Sequence, residues 1–163
     1  MASILKVNTI QDATNSNTAI SVDSSGRVTT PVTPAFHAYK ASSQTASADN
    51  EIVTWDQTQF NTGNHFQNNT FTAPVAGVYF FSCKWLSPSA ADQEDIHIYV
   101  NSVIKSRSRN PAHNGINSHE TITINYLANL SVSDAVTVRI SQSGNAIYGG
   151  DEGWTTFMGY LVG

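Results

Sequence analysis

The chain has 163 residues, 40% of them hydrophobic and only 12% charged, with a net charge of -4. That length fits one core with at most a small appendage, and the composition excludes a disordered polyelectrolyte. Eight basic residues give no field that would hold a nucleic-acid backbone, and no run approaches the roughly 20 apolar residues that a membrane-spanning helix needs.

Helix-period stripes are absent, whereas short alternating runs bounded by Gly, Pro, Asn, Asp and Ser recur throughout, which predicts an all-β antiparallel sandwich or barrel. Strands are expected at 3–9, 18–22, 27–30, 35–40, 51–55, 70–73, 77–86, 95–100, 103–109, 119–128, 134–142 and 155–162. If Met1 is the native start, MASILKVNTIQDATN lacks the basic segment and apolar stretch of a secretory signal. Cys83 is the only cysteine, so no intrachain disulfide forms and assembly in a reducing cytoplasm is expected.

Within the first thirty residues, AISV and RVTT flank Asp23-Ser24-Ser25-Gly26, a loop whose glycine can take positive φ, and this predicts a hairpin. Leu5, Val7, Ile20 and Val22 alternate but are too few for a core. An isolated hairpin is marginal in water, so it needs a partner. Thr30-Pro31-Val32-Thr33-Pro34 reads as a stiff linker. It divides an attachment or trimerisation segment, 1–33, from a globular knob, 34–163.

In HFQNNTFTAPVAGVYFFSCKW, residues 65–85, Asn68-Asn69 turns the chain, Pro74 stops a strand and Gly77 is expected to admit a tight reversal. From Val78 onward both parities are apolar: Tyr79, Phe81, Cys83 and Trp85 on one face, Val78 and Phe80 on the other. A strand apolar on both faces is covered on both. One cover is the second sheet of a sandwich, and the other is most simply a neighbouring subunit.

Phe36 in PAFHAY, Asn64-His65-Phe66 before FTAP, the GVYFF run at 77–81 and Tyr99-Val100-Asn101 stand in order. Leu130 with Asp134 and Val136, and the terminal TFMGYL, continue that order. In order and spacing, residues 34–163 resemble the globular heads of complement C1q, whose fold the tumour necrosis factor-like superfamily shares. The resemblance implies a ten-stranded jelly-roll sandwich that assembles as a tight trimer. It also implies that Val78 and Phe80 face the threefold axis, with further contacts from Thr123, Asn125 and Leu127 or from Phe157. Asn68-Asn69 and Asn101-Ser102 replace the family's Thr-Gly and Asn-Gly turns, Ser133-Asp134 stands for Gly-Asp, and a short hairpin occupies the place of the collagen-like stalk. SILKVNTIQ and SSGRV resemble leaders of bacteriophage tail-fibre and other virion appendage proteins.

With Asn101-Ser102 as a two-residue hairpin loop, Val100 pairs Val103, Ile98 pairs Lys105, Ile96 pairs Arg107 and Glu94 pairs Arg109. Lys105, Arg107 and Arg109 then share a face that either binds anionic surface glycans or packs its aliphatic stems on the strand. Asp92, Glu94 and Asp95 offer hard oxygens for calcium but lack a recognised spacing. The five histidines show no metal-ligand spacing, and His97 beside Asp95 has no nucleophile to serve. Neither a cofactor nor an enzymatic activity is expected. Three polar loops, Ser87–Asp95, Asn110–Ser118 and Ser143–Gly153, carry the variable chemistry, with Tyr148 and Trp154 either stacking on sugars or anchoring the last loop.

The expectation is a non-enzymatic homotrimeric virion protein, assembled in the host cytoplasm: a phage tail-fibre or appendage knob that binds a host-surface receptor or glycan. It would be tied to other virion proteins through residues 1–30, with no nucleic acid and no membrane insertion. A structural capsid-decoration or joining protein is the alternative, and a secreted C1q-like lectin a further one.

Overall fold

The computed structural model describes residues 5–87, 94–110, 119–150 and 153–163. Two compact units divide the chain, Met1–Thr33 and Pro34–Gly163, and all regular structure among the described residues is β.

In the first unit β1 (Thr9–Gln11), β2 (Thr18–Val22) and β3 (Val28–Thr29) form an antiparallel meander. Val22 pairs Val28 across a turn in which Asp23 Oδ1 accepts the Ser25 and Arg27 amides, each at 2.9 Å, and Gly26 takes φ 78°. Among the described residues the first strand begins at Thr9, later than expected, and Leu5 and Val7 stay exposed.

The second unit contains β4 (Ala35–Tyr39), β5 (Gln44–Thr45), β6 (Glu51–Ile52), β7 (Gln57–Thr62), β8 (Phe66–Gln67), β9 (Thr70–Thr72) and β10 (Gly77–Ser87). It continues with β11 (Glu94–Val100), β12 (Val103–Asn110), β13 (Glu120–Leu130), β14 (Ala135–Ile140), β15 (Ala146–Ile147) and β16 (Thr156–Leu161). The first sheet runs β13-β10-β16-β4-β7; the second runs β12-β11-β14-β9-β8, with β6 added to β14. The two paths hold ten strands of an all-β jelly roll, and β5 and β15 form a separate pair.

Between the sheets lies an aromatic core. Phe36 stacks on Phe66 at 4.4 Å and on Phe71 at 5.3 Å, and meets Phe157 edge-on at 5.0 Å. Tyr79, Phe81, Cys83 and Trp85 point inward from β10, all fully buried. A buried side chain of that size contributes roughly 1.5–3 kcal/mol, so one parity of β10 anchors the fold. Burial pushes the Cys83 thiol up, which keeps it inert.

Left-handed turns close the strands where Asn was expected to permit them: Asn68 and Asn69 at φ 48° and 65°, Asn101 and Ser102 at 49° and 64°. Ser133, in the place of a glycine, adopts φ 71° and so meets the same backbone demand at the cost of a Cβ. Gly77 serves packing instead of reversal. A Cβ there would stand 2.8 Å from Leu161 Cδ1, where the C-terminal chain is clamped by the Val78 amide donating to the Gly163 carbonyl at 2.7 Å.

Candidate functional site

The strand directions give the knob two chemically different ends. At one end lie the Asn101-Ser102 turn, the Ser131–Asp134 turn, and Pro34, whose carbonyl accepts the Leu161 amide at 3.0 Å. Asn101 ties the two turns together, donating to Asp134 Oδ1 at 2.7 Å and accepting the Ala135 amide at 2.9 Å. At the other end Ser87 pairs Glu120, Glu94 pairs Asn110, and the chain from Ile147 returns to Thr156. Chain from all three predicted loops therefore leaves and re-enters at the end away from Pro34. Residues 88–93, 111–118 and 151–152, with Asp92 and His113, lie outside the described residues.

Tyr148 and Trp154 come together at that far end. With Leu86, His119 and Thr121 they line a groove of about 350 Å³. A knot of hydrogen bonds seats it: the Tyr148 amide donates to the Leu86 carbonyl at 2.8 Å, the Thr155 hydroxyl to the Tyr148 carbonyl at 2.7 Å, and the Leu86 amide to Thr155 Oγ1 at 3.1 Å. Lys40 and Ser43 support the other side, through the Gly150 amide on the Lys40 carbonyl and the Gly149 amide on Ser43 Oγ. Lys40 itself is buried, its ammonium donating to the Thr54 carbonyl at 2.6 Å, and burial lowers its pKa.

His119 meets the Tyr148 ring edge-on at 5.2 Å, and Trp154 remains 43% exposed. The Tyr148 side chain is half-buried. His119 was not among the expected site residues, although the alternation of His119, Thr121 and Thr123 already places them on one face. Leu86 pairs Thr121 across the strands, a relation that only the fold reveals.

The same outer face of the first sheet carries an apolar band. Phe80 pairs Leu127 on one side and Tyr160 on the other, with the Phe80 and Tyr160 rings 5.6 Å apart. Leu127 is 62% exposed and Met158 and Tyr160 are also exposed, while Val78 and Phe80 are half-buried. Thr123 and Asn125 lie on this face as well, opposite Lys84 and Ser82. Phe157 does not. It is fully buried in the core, because β16 turns its odd residues inward, and Met158 and Tyr160 take the outer positions instead.

On the second sheet the hairpin register differs from the simple count. Val100 pairs Val103 and Tyr99 pairs Ile104, after which a bulge at Lys105 shifts the pairing: Ile98 meets Ser106, His97 meets Arg107 and Asp95 meets Arg109. Lys105, Arg107 and Arg109 are exposed on β12, but the shifted register sets Arg107 opposite His97 and not Ile96, on the face away from the buried Ile96 and Ile98, and Arg109 answers Asp95 and not Glu94. Glu94 and Asp95, adjacent on one strand, point to opposite faces. The Asp95 oxygens are occupied by Arg109. Among the described residues no group of three His, Cys, Asp or Glu converges as a metal site.

The C1q domain family profile matches residues 35–162. Among solved structures, the globular domain of zebrafish complement 1qA protein superposes with a TM-score of 0.65 at 18% identity, covering 80% of this chain and 98% of that one. Murine APRIL, in its crystal structure at pH 8.0, gives 0.63 at 15% identity, covering 79% and 98%. At such identities the likeness carries the fold alone. No curated protein sequence matches the chain.

Proposed function

The chain belongs to the C1q domain family, and from that premise we propose that it is a non-enzymatic homotrimeric knob of a bacteriophage tail fibre or other virion appendage that recognises a host-surface glycan. Domains of this family are typically trimeric and generally non-enzymatic. The row Leu127–Phe80–Tyr160 supplies the exposed apolar surface that such an assembly covers.

The observation that carries the recognition reading is the opposition of Pro34 and the Tyr148–Trp154 groove at the two ends of the knob. The groove thus lies at the end of the knob away from Pro34, the residue at which the second unit begins. The groove lies on the same face as Phe80, six residues along β10 at Leu86, about 20 Å away at strand rise. A trimer built on that face gathers three grooves around one end of its axis, so weak single-site binding becomes avidity.

Exposed Trp154 offers a face for the C–H side of a pyranose, Tyr148 borders it, and His119 and Thr121 offer hydrogen bonds to its hydroxyls. Replacing Tyr148 and Trp154 by Ala in an assembled particle tests this through adsorption to host cells. A loss of adsorption with an unchanged trimer melting temperature supports recognition. Normal adsorption by that trimer contradicts it and leaves a decoration or joining role.

A further inference from the structure

Three nitrogen-rich side chains form one row across the outer face of the second sheet. His97 on β11 stands opposite Arg107 on β12 and opposite Arg139 on β14. With strands about 4.8 Å apart, the backbones of the two arginines are about 10 Å apart, well within the reach of two side chains converging over the residue between them.

The middle of the row is incomplete. The His97 side chain is only 6% exposed, and both of its ring nitrogens are buried without a hydrogen-bond partner. A neutral imidazole has one donor and one acceptor to satisfy, and native interiors rarely leave such groups idle. Asp95 Oδ2 lies 4.0 Å from Nε2, too far for a hydrogen bond, and that carboxylate is already held by Arg109 through two N–H groups.

Neither flanking arginine is neutralised by a carboxylate among the described residues. Arg139 lies over the Tyr99 ring with Cζ 4.4 Å from its centre, and among the described residues its side chain makes long hydrogen bonds to the Thr137 and Ser102 hydroxyls, each at 3.3 Å. Arg107 projects into solvent, and its charge contributes to holding the His97 pKa below the ordinary value, second to burial.

We propose that Arg107, His97 and Arg139 form an anion site for a phosphate or sulfate group, with the two guanidinium groups gripping its oxygens and the imidazole N–H donating from beneath. Guanidinium forks match such oxyanions in shape as well as charge. A phosphate or sulfate ester on a surface polysaccharide is the source that fits a recognition knob and rests on the function proposed above; the free ion is the other source, and the site itself depends on neither.

The test is titration of the whole protein with inorganic phosphate, inorganic sulfate, glucose 6-phosphate and glucose, at constant ionic strength in chloride. Ring ¹⁵N shifts of His97 follow binding without any substitution. The proposal expects phosphate and glucose 6-phosphate to move the His97 nitrogens saturably, with glucose silent. It expects Arg107→Ala to weaken binding at least ~10-fold, consistent with loss of a charged hydrogen-bonding partner, while Lys105→Ala, the same change in net charge two residues away, shifts it less than ~3-fold. Unmoved His97 nitrogens, or equal weakening by Arg107→Ala and Lys105→Ala, overturn it. Glucose 6-phosphate binding more tightly than inorganic phosphate assigns the site to a sugar ester, and equal affinities assign it to the free ion. Adsorption of particles carrying the Tyr148 and Trp154 substitutions reads the recognition function separately.

Discussion

Arg109 grips Asp95 across β12 and β11 through two nitrogens, Nε donating to Oδ1 at 2.9 Å and more weakly to Oδ2 at 3.2 Å, and Nη2 to Oδ2 at 2.8 Å. The pair is lopsided, since the Asp95 side chain is 12% exposed and that of Arg109 61%. Removing the arginine strands a largely buried carboxylate, whereas removing the aspartate leaves a solvated guanidinium. Arg109→Ala is therefore predicted to lower the melting temperature more than Asp95→Ala does. Thermal melts in the opposite order contradict this placement of the charge.

His97 and the hydrogen-bonded carboxylates make stability depend on pH in separate windows. Burial first, and Arg107 second, hold the His97 pKa below its ordinary 6.5, so the unfolded chain takes up a proton before the folded protein does. The stability this difference supports is present above that value and is lost as pH falls from it through the lower folded value. Glu51 behaves as a depressed carboxylate: the Ser47 hydroxyl, then Gln44 and the Ser47 amide, lower its pKa from 4.5 to about 2. Its contribution is present above 4.5 and is lost as pH falls toward about 2. Melting temperatures measured in chloride are predicted to fall in two stages, and Glu51→Gln reduces the lower one, to which Asp12, Asp23 and Asp134, also held below the ordinary carboxylate value by hydrogen bonds, contribute. A curve flat from neutrality to pH ~5 contradicts the buried neutral state of His97.

Adjacent glycines separate stability from binding. A side chain at 149 would run into the Ser42 backbone, which cannot yield, so Gly149→Ala is predicted to cost about 1–3 kcal/mol and to lower the melting temperature by several degrees. At 150 a Cβ would stand 3.0 Å from Trp154 Cδ1 and 3.6 Å from Tyr148 Cε1. Gly150→Ala therefore displaces the Trp154 ring, and is predicted to weaken glycan binding with a smaller change in melting. Calorimetry on both variants checks the contrast; equal losses of stability contradict it.

The alternation of Val78 to Trp85 was enough to assign β10 two buried or half-buried faces, and the paired asparagines marked their turns. Parity could not separate Phe157 from Met158 and Tyr160, because TTFMGYL is apolar on both parities and only the packing of β16 between β10 and β4 labels the faces. The bulge at Lys105 was equally silent. Arg107 and Arg109 keep the same parity with or without it, yet their partners shift by one residue. β7 was missed because QTQFNT, on an edge strand, has Phe60 as its only large apolar residue and so no alternation to read. The groove joins Leu86, His119 and Tyr148 from distant stretches, a proximity that sequence spacing does not encode.

The first unit leaves Leu5, Ile10 and Val28 exposed at 81%, 46% and 65%, more apolar surface than a three-stranded meander can cover by itself. Deleting residues 1–30 is predicted to leave Pro34–Gly163 folded and trimeric but unable to enter the particle. Normal incorporation of the shortened chain, measured in purified particles, contradicts an attachment role.

The proposed threefold assembly through the outer face of the first sheet underlies the rest of the account, since it would cover the Leu127–Phe80–Tyr160 row and gather the grooves. Sedimentation equilibrium of the whole protein, beside Phe80→Asp, tests it most directly. The prediction is three times the 17.6 kDa chain mass for the native protein and a single chain mass or aggregate for Phe80→Asp, because a carboxylate in that apolar row has no compensating partner. A monomeric native protein, or an intact soluble trimer of Phe80→Asp, contradicts it.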